Sequence, residues 1–130
     1  MPARSSFDYA IVRVVPHVER EEFINAGVIL FCRTQNFLDA RVALDAGRLR
    51  VLAPHLDVEG VQEHLELIPH ICAGDDSPIG QLSQAERFHW LVTPRSTIIQ
   101  LSPVHTGLCT DPAAMLEHLL VTMVHSPHQS

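Results

Sequence analysis

The chain has no lysine. Its nine Lys-plus-Arg positions are all arginine. That excludes Schiff-base chemistry and the phosphate-gripping lysine of a P-loop. Positive charge is scarce overall: fifteen acidic residues leave a net charge of −6 with histidine neutral. A nonspecific nucleic-acid binder draws most of its affinity from phosphate neutralisation, so nucleic acid is a disfavoured partner. Long apolar runs are missing too. None approaches the ~20 residues that span a bilayer, so no membrane segment is expected. The opening MPARSSFDYA carries no apolar leader core, and a cytoplasmic location is the expectation. Cysteine is sparse. Cys32, Cys72 and Cys109 are odd in number and form no CxxC, which argues against a disulfide framework and against the usual zinc pattern. Reduced, buried thiols are expected, with Cys109 kept as a candidate nucleophile.

Metal-binding patterns are absent as well. There is no HExxH and no paired-carboxylate motif. His64 and His70 lie six apart, not a ligand spacing on one helix face. His118 and His125 lie seven apart, on a face that reads as solvated. No metal and no cofactor are expected.

What is present is a globular composition, 46% hydrophobic and 18% charged. The length of 130 residues suits one domain over 1–130, with an ordered core of about 7–125. A chain of this size buries roughly two-thirds of its unfolded surface, enough for a core without staples.

Residues 7–16, FDYAIVRVVP, are apolar on both faces and read as a central strand, with Arg13 the anomaly. HVEREEFIN reads as a loop with one helical turn. AGVILFCR (26–33) and FLDARVAL (37–44) read as a hairpin around Thr34-Gln35-Asn36, the second strand having one wet face. Asp45 can cap a short helix ending near Pro54. Asp57 can cap a second, in which Val58, Val61, Leu65 and Ile68 repeat at helical spacing, unless Pro69 ends it early. Ser83 and Glu86 form a capping box for a third helix ending at Pro94. Thr97, Ile99 and Leu101 give a fourth strand, and Asp111-Pro112 starts a last helix with Met115, Leu116, Leu119, Leu120, Met123 and Val124 inward. The order is β-β-β-α-α-α-β-α. The expected class is α+β: a mostly antiparallel sheet of about four strands with helices packed on one face.

The polar residues concentrate in Arg87–Pro112, RFHWLVTPRSTIIQLSPVHTGLCTDP. Arg95, Ser96 and Thr97 offer a guanidinium fork and two hydroxyls to an anion. His105, beside Thr106 and a permissive Gly107, is the candidate acid–base, with Asp111 available to orient it. Arg13 on its apolar strand needs a partner, for which Glu22 and Asn25 are the candidates. A returning strand beside the first would bring Arg95 to His105 near Arg13, and the candidate ligand-binding residues are Arg13, Glu22, Asn25, Arg95, Ser96, Thr97, His105 and Thr106.

The segments YAIVRVVP, EEFINAGVILF, AERFHWLVTPRSTIIQ and SPVHTGLCTDP together resemble a bacterial family of uncharacterised proteins, domain of unknown function 3037, over about residues 8 to 124. The resemblance implies no activity. Because members are often encoded beside a HipA-like kinase gene, it implies a kinase-like partner. The expected function is a cytoplasmic accessory or binding module that recognises a small anionic ligand or that partner. The alternative is a small hydrolase or transferase acting on a phosphate ester or acyl group, with His105 as acid–base.

Overall fold

Alternation of buried side chains builds the centre of the sheet. The computed structural model describes residues 3–17, 22–96 and 98–125. Strand β1 (Ser5–His17) buries Phe7 and Ile11 on one face and Ala10, Val12 and Val14 on the other. Such a strand needs cover on both sides. β2 (Glu22–Cys32) pairs with one edge of β1, and β3 (Phe37–Val42) extends the sheet beyond it. The other edge of β1 is shared. β4 (Ile99–Leu101) faces Val12–Val14, while β5 (His105–Cys109) faces Ser5–Tyr9. The order is β3-β2-β1-β4, with β5 also on β1, and every pairing is antiparallel.

Short polar side chains start the four helices as their positions in the sequence suggest. Asp45, Asp57, Ser83 and Asp111 accept from the backbone N–H of Arg48, Gly60, Glu86 and Ala114. Each such cap is worth about 1 kcal/mol. They open α1 (Ala46–Leu52), α2 (Val58–Ala73), α3 (Gln84–Val92) and α4 (Pro112–Leu119). Pro69 does not end α2. Ile68 and Cys72 on either side of it are buried against the core, and the helix closes at Gly74 with φ +86°. The packing offsets the lost N–H.

The α+β class and the antiparallel sheet are as the sequence suggests, and two features go beyond it. The returning segment makes two strands, β4 and β5, so the sheet has five. The helices also cover both faces instead of one. α1, α2 and α3 pack Leu49, Leu65, Ile68 and Phe88 over Val12, Val14, Ile29 and Phe31. α4 packs Leu116 and Leu119 over Phe7, Ile11, Val28 and Leu30. The reason is the two-sided apolarity of β1 and β2: a bare second face would expose a broad apolar surface.

A bulge keeps β2 in register with both layers. Val12 pairs with Gly27 and Arg13 with Asn25, leaving Ala26 unpaired. Ile24 and Ala26 thereby join the same layer as Ile29 and Phe31. A Cβ on Gly27 would stand 2.7 Å from the Arg41 carbonyl oxygen, so only glycine admits β3 this close. The expectation that HVEREEFIN is a loop with a helical turn fails for residues 22–25, which are strand. Residues 18–21 lie outside the described residues.

α4 passes into a π-turn, Leu120–Val124, in which His125 N–H donates to the Leu120 carbonyl at 2.9 Å. The wider turn shifts the helical phase. Val124 stays packed, but Met123 is exposed and not inward as its spacing suggests.

Candidate functional site

Arg13 lies on the α4 face of the sheet, because Val12 and Val14 on either side of it face the other layer. Its guanidinium covers the exposed Phe23 ring at 4.4 Å. Asn25 sits opposite Arg13 in the register, and its Nδ2 donates to the Met123 carbonyl at 2.9 Å. Arg13 Nε and Asn25 Oδ1 are buried without a hydrogen-bond partner. Glu22 begins β2 opposite His17. The structure brings Arg13 and Asn25 together, as a tie between the β2 edge and the π-turn.

Arg95 belongs to the opposite layer. Its guanidinium stacks on Trp90, 3.7 Å from the ring centroid, and Nη1 donates to the Thr93 carbonyl at 3.1 Å. No ion pair among the described residues includes Arg95. Ser96 Oγ accepts from the N–H groups of Ile98 and Ile99 at 3.1 and 3.2 Å, so the hydroxyl serves the turn into β4. Thr97 lies outside the described residues. Trp90 and Arg95 stand over a groove of about 570 Å³ between α2, the end of α3 and β4, walled by Leu67, Ile71, Val92 and Leu101.

His105 occupies a third place. It pairs with Tyr9 in the register and its ring lies 5.3 Å from the Tyr9 ring, tilted by 35°. Thr106 Oγ1 donates to Asp8 Oδ1 at 3.2 Å. Both residues are exposed cross-strand partners on β5. Gly107 does not use a left-handed conformation. Phe7 lies over it, and a Cβ there would stand 2.6 Å from the ring.

The expected common pocket is therefore not formed. Arg13 and Arg95 lie on opposite faces. His105, paired with Tyr9, is four residues along β1 from Arg13, roughly 13 Å at the rise of a strand. Asp111 does not orient His105, because its carboxylate caps α4. Two things separate these residues: Arg95 precedes β4 and lies in the layer of α2 and α3, and His105 shares the Arg13 face of the sheet but sits further along the strand.

Two of the thiols are held toward the protonated form. Burial pushes the Cys109 thiol up, with the neighbouring Cys32 and Asp111 adding to the shift. Burial pushes Cys72 up to about 12. A thiol held protonated is a poor nucleophile, which removes the motivation for a catalytic Cys109. No cluster of three or more His, Cys, Asp or Glu suited to a metal occurs among the described residues. No helix among them is long and apolar enough to cross a membrane.

The groove itself was missed in the sequence, although a signal exists. α2 buries Val58, Val61, Leu65, Ile68 and Cys72, and beside that stripe runs a second one, His64, Leu67 and Ile71, at the same helical spacing. Leu67 is 52% exposed, and Ile71 is partly buried against the edge of the core, so that stripe runs from the core margin into open space.

An open antiparallel sheet covered on both faces, with an apolar groove carrying an arginine at its mouth, defines an α+β protein. The chain matches the family model described as "Protein of unknown function (DUF3037)" over residues 9–124, and it belongs to that family. No curated protein and no solved structure matches it.

Proposed function

We propose that the protein is a cytoplasmic binding module that takes an anionic group at Arg95. One observation carries the reading: a guanidinium set 3.7 Å over the Trp90 ring, without a carboxylate partner among the described residues, at the mouth of a groove of about 570 Å³. That volume is in the range of ligand-binding clefts. Stacking orients the guanidinium before any ligand arrives, which lowers the entropy lost on binding. The three free, buried cysteines support a reducing compartment. The anion is carried by a small molecule or by a HipA-like kinase partner, the partner resting on the family resemblance alone. The hydrolase alternative draws no support from this geometry, since His105 lies tilted against Tyr9 and no carboxylate among the described residues orients it.

A thermal-shift panel of carboxylates and phosphomonoesters tests the small-molecule arm, and calorimetry with the neighbouring kinase-like protein tests the other. In at least one arm the wild type should respond, by a rise in Tm of several degrees or by measurable heat. Arg95→Gln should lose most of that response. Equal responses from wild type and Arg95→Gln, or none in either arm, would sink the proposal.

A further inference from the structure

We infer that the ligand of this groove is an aliphatic carboxylate, an alkyl or acyl chain ending in a single COO⁻. The inference rests on the anion-binding reading above and specifies what the rest of the groove selects. Three features of the lining argue for it.

The walls are aliphatic. Leu67 and Ile71 come from α2, Val92 from α3, and Ile99 and Leu101 from β4, and the rings in the described lining are Trp90 and His64. The Trp90 face is already taken by the Arg95 guanidinium at 3.7 Å. A flexible methylene chain needs only the dispersion contacts and removal from water that these aliphatic walls supply.

The polar complement is small and has one sign. Among the described lining residues Arg95 is the one Arg, no Asp or Glu joins it, and the other polar side chains are His64, Thr93, Ser96 and Gln100. One of its donors is held by the Thr93 carbonyl, and the Ser96 Oγ accepts from two backbone N–H groups. What remains suits a single carboxylate edge. A phosphomonoester brings close to two negative charges, against which the described lining sets a single arginine among mostly aliphatic walls.

The surface is also costly to leave bare. Leu67 is half exposed on a helix whose neighbouring stripe is fully used in the core. An apolar trough with one cation at its end matches a molecule with an apolar body and one anionic end, in both charge and surface.

Trp90 is the protein's single tryptophan and lies in the groove, so its fluorescence reports occupancy directly. The experiment titrates the full chain with butyrate, decanoate and 1-decanol below micelle-forming concentration, and with inorganic phosphate. Each buried methylene tightens binding about fourfold. Even partial burial should therefore make decanoate bind at least about 100-fold more tightly than butyrate. Arg95→Gln should weaken decanoate about tenfold and leave decanol unchanged, the loss expected for one charge-assisted hydrogen bond. Leu67→Glu, at an exposed position where folding is not at stake, should abolish decanoate binding and spare the thermal unfolding of the protein.

Decanoate no better than butyrate, with butyrate or phosphate still bound in an Arg95-dependent way, overturns the aliphatic inference and leaves the anion-binding proposal standing. Decanol matching decanoate, or decanoate indifferent to Leu67→Glu, overturns it as well. Kinase-like partner binding that depends on Arg95 while decanoate fails to bind assigns the groove to the partner and overturns the small-ligand inference.

Discussion

Ser102 shows how a polar residue in this chain can be structural while looking reactive. It lies between β4 and β5, only 4% exposed. Its Oγ accepts from Ile11 N–H at 2.8 Å, its own N–H donates to the Ile11 carbonyl at 2.9 Å, and its hydroxyl donates to the Pro103 carbonyl at 2.9 Å. The side chain replaces a strand partner where the edge of the sheet is broken. Ser96 does similar work one turn earlier, and Asp111 caps α4. In the sequence, these residues and Arg95 form a single polar cluster. Only the caps could be recognised there, because a cap has a fixed spacing to its helix and a bulge-filling serine has none. Ser102→Ala should cost about 1–3 kcal/mol, the penalty for a buried Ile11 N–H left without an acceptor. Urea denaturation measures it. A loss under about 0.5 kcal/mol, the level of an ordinary surface change, would mean that water or a backbone shift satisfies that N–H.

At the scale of elements, the departures from regular periodicity carry the least legible structure. Regular segments were readable: the apolar alternation of β1, the hairpin of β2 and β3, and four capped helices all follow from spacing and cap chemistry. The bulge at Ala26 hid the first half of β2, since one extra residue reverses which side chains point inward. β5 was hidden because HTGLC is short, mostly exposed and preceded by Pro103. The π-turn hid the true facing of Met123. Gly27 is the sequence trace of the bulge, and it can be tested against a glycine with no such duty. Gly27→Ala should destabilise by about 1–3 kcal/mol, because its Cβ would press on the Arg41 carbonyl and force β3 away. Gly47→Ala, on an exposed turn of α1 where a Cβ meets only Asp45 Oδ1 at 3.7 Å, should stabilise by roughly 0.5–1 kcal/mol. Opposite signs in paired denaturation curves bear the argument out, and a neutral Gly27→Ala defeats it.

Across the whole molecule, β1 and β2 serve two cores at once, and that sharing couples the groove to the far face. The α4 layer is held by two kinds of contact of unequal weight. Arg41 Nε donates to Glu117 Oε1 and Nη1 to Asp39 Oδ2, both at 2.7 Å, and the Asp39 hydrogen bond leads the interactions that hold the guanidinium charged. Those side chains are substantially solvated, so the ties are worth about 1 kcal/mol or less. Leu116, fully buried among Phe7, Ile11 and Leu30, is worth more: truncation to alanine typically costs 2–5 kcal/mol. Leu116→Ala should therefore lower the urea midpoint far more than Arg41→Ala. Trp90 provides a probe on the opposite layer, in contact with neither residue. If the two layers fold as one unit, Leu116→Ala shifts the Trp90 fluorescence transition and the far-UV circular dichroism transition by the same amount, with coincident midpoints. A Trp90 midpoint that stays at its wild-type value while the dichroism signal shifts would show that the layer bearing the groove is stable without α4. The groove would then be carried by a folding unit smaller than the chain, and the expectation of one domain over 1–130 would fall with it.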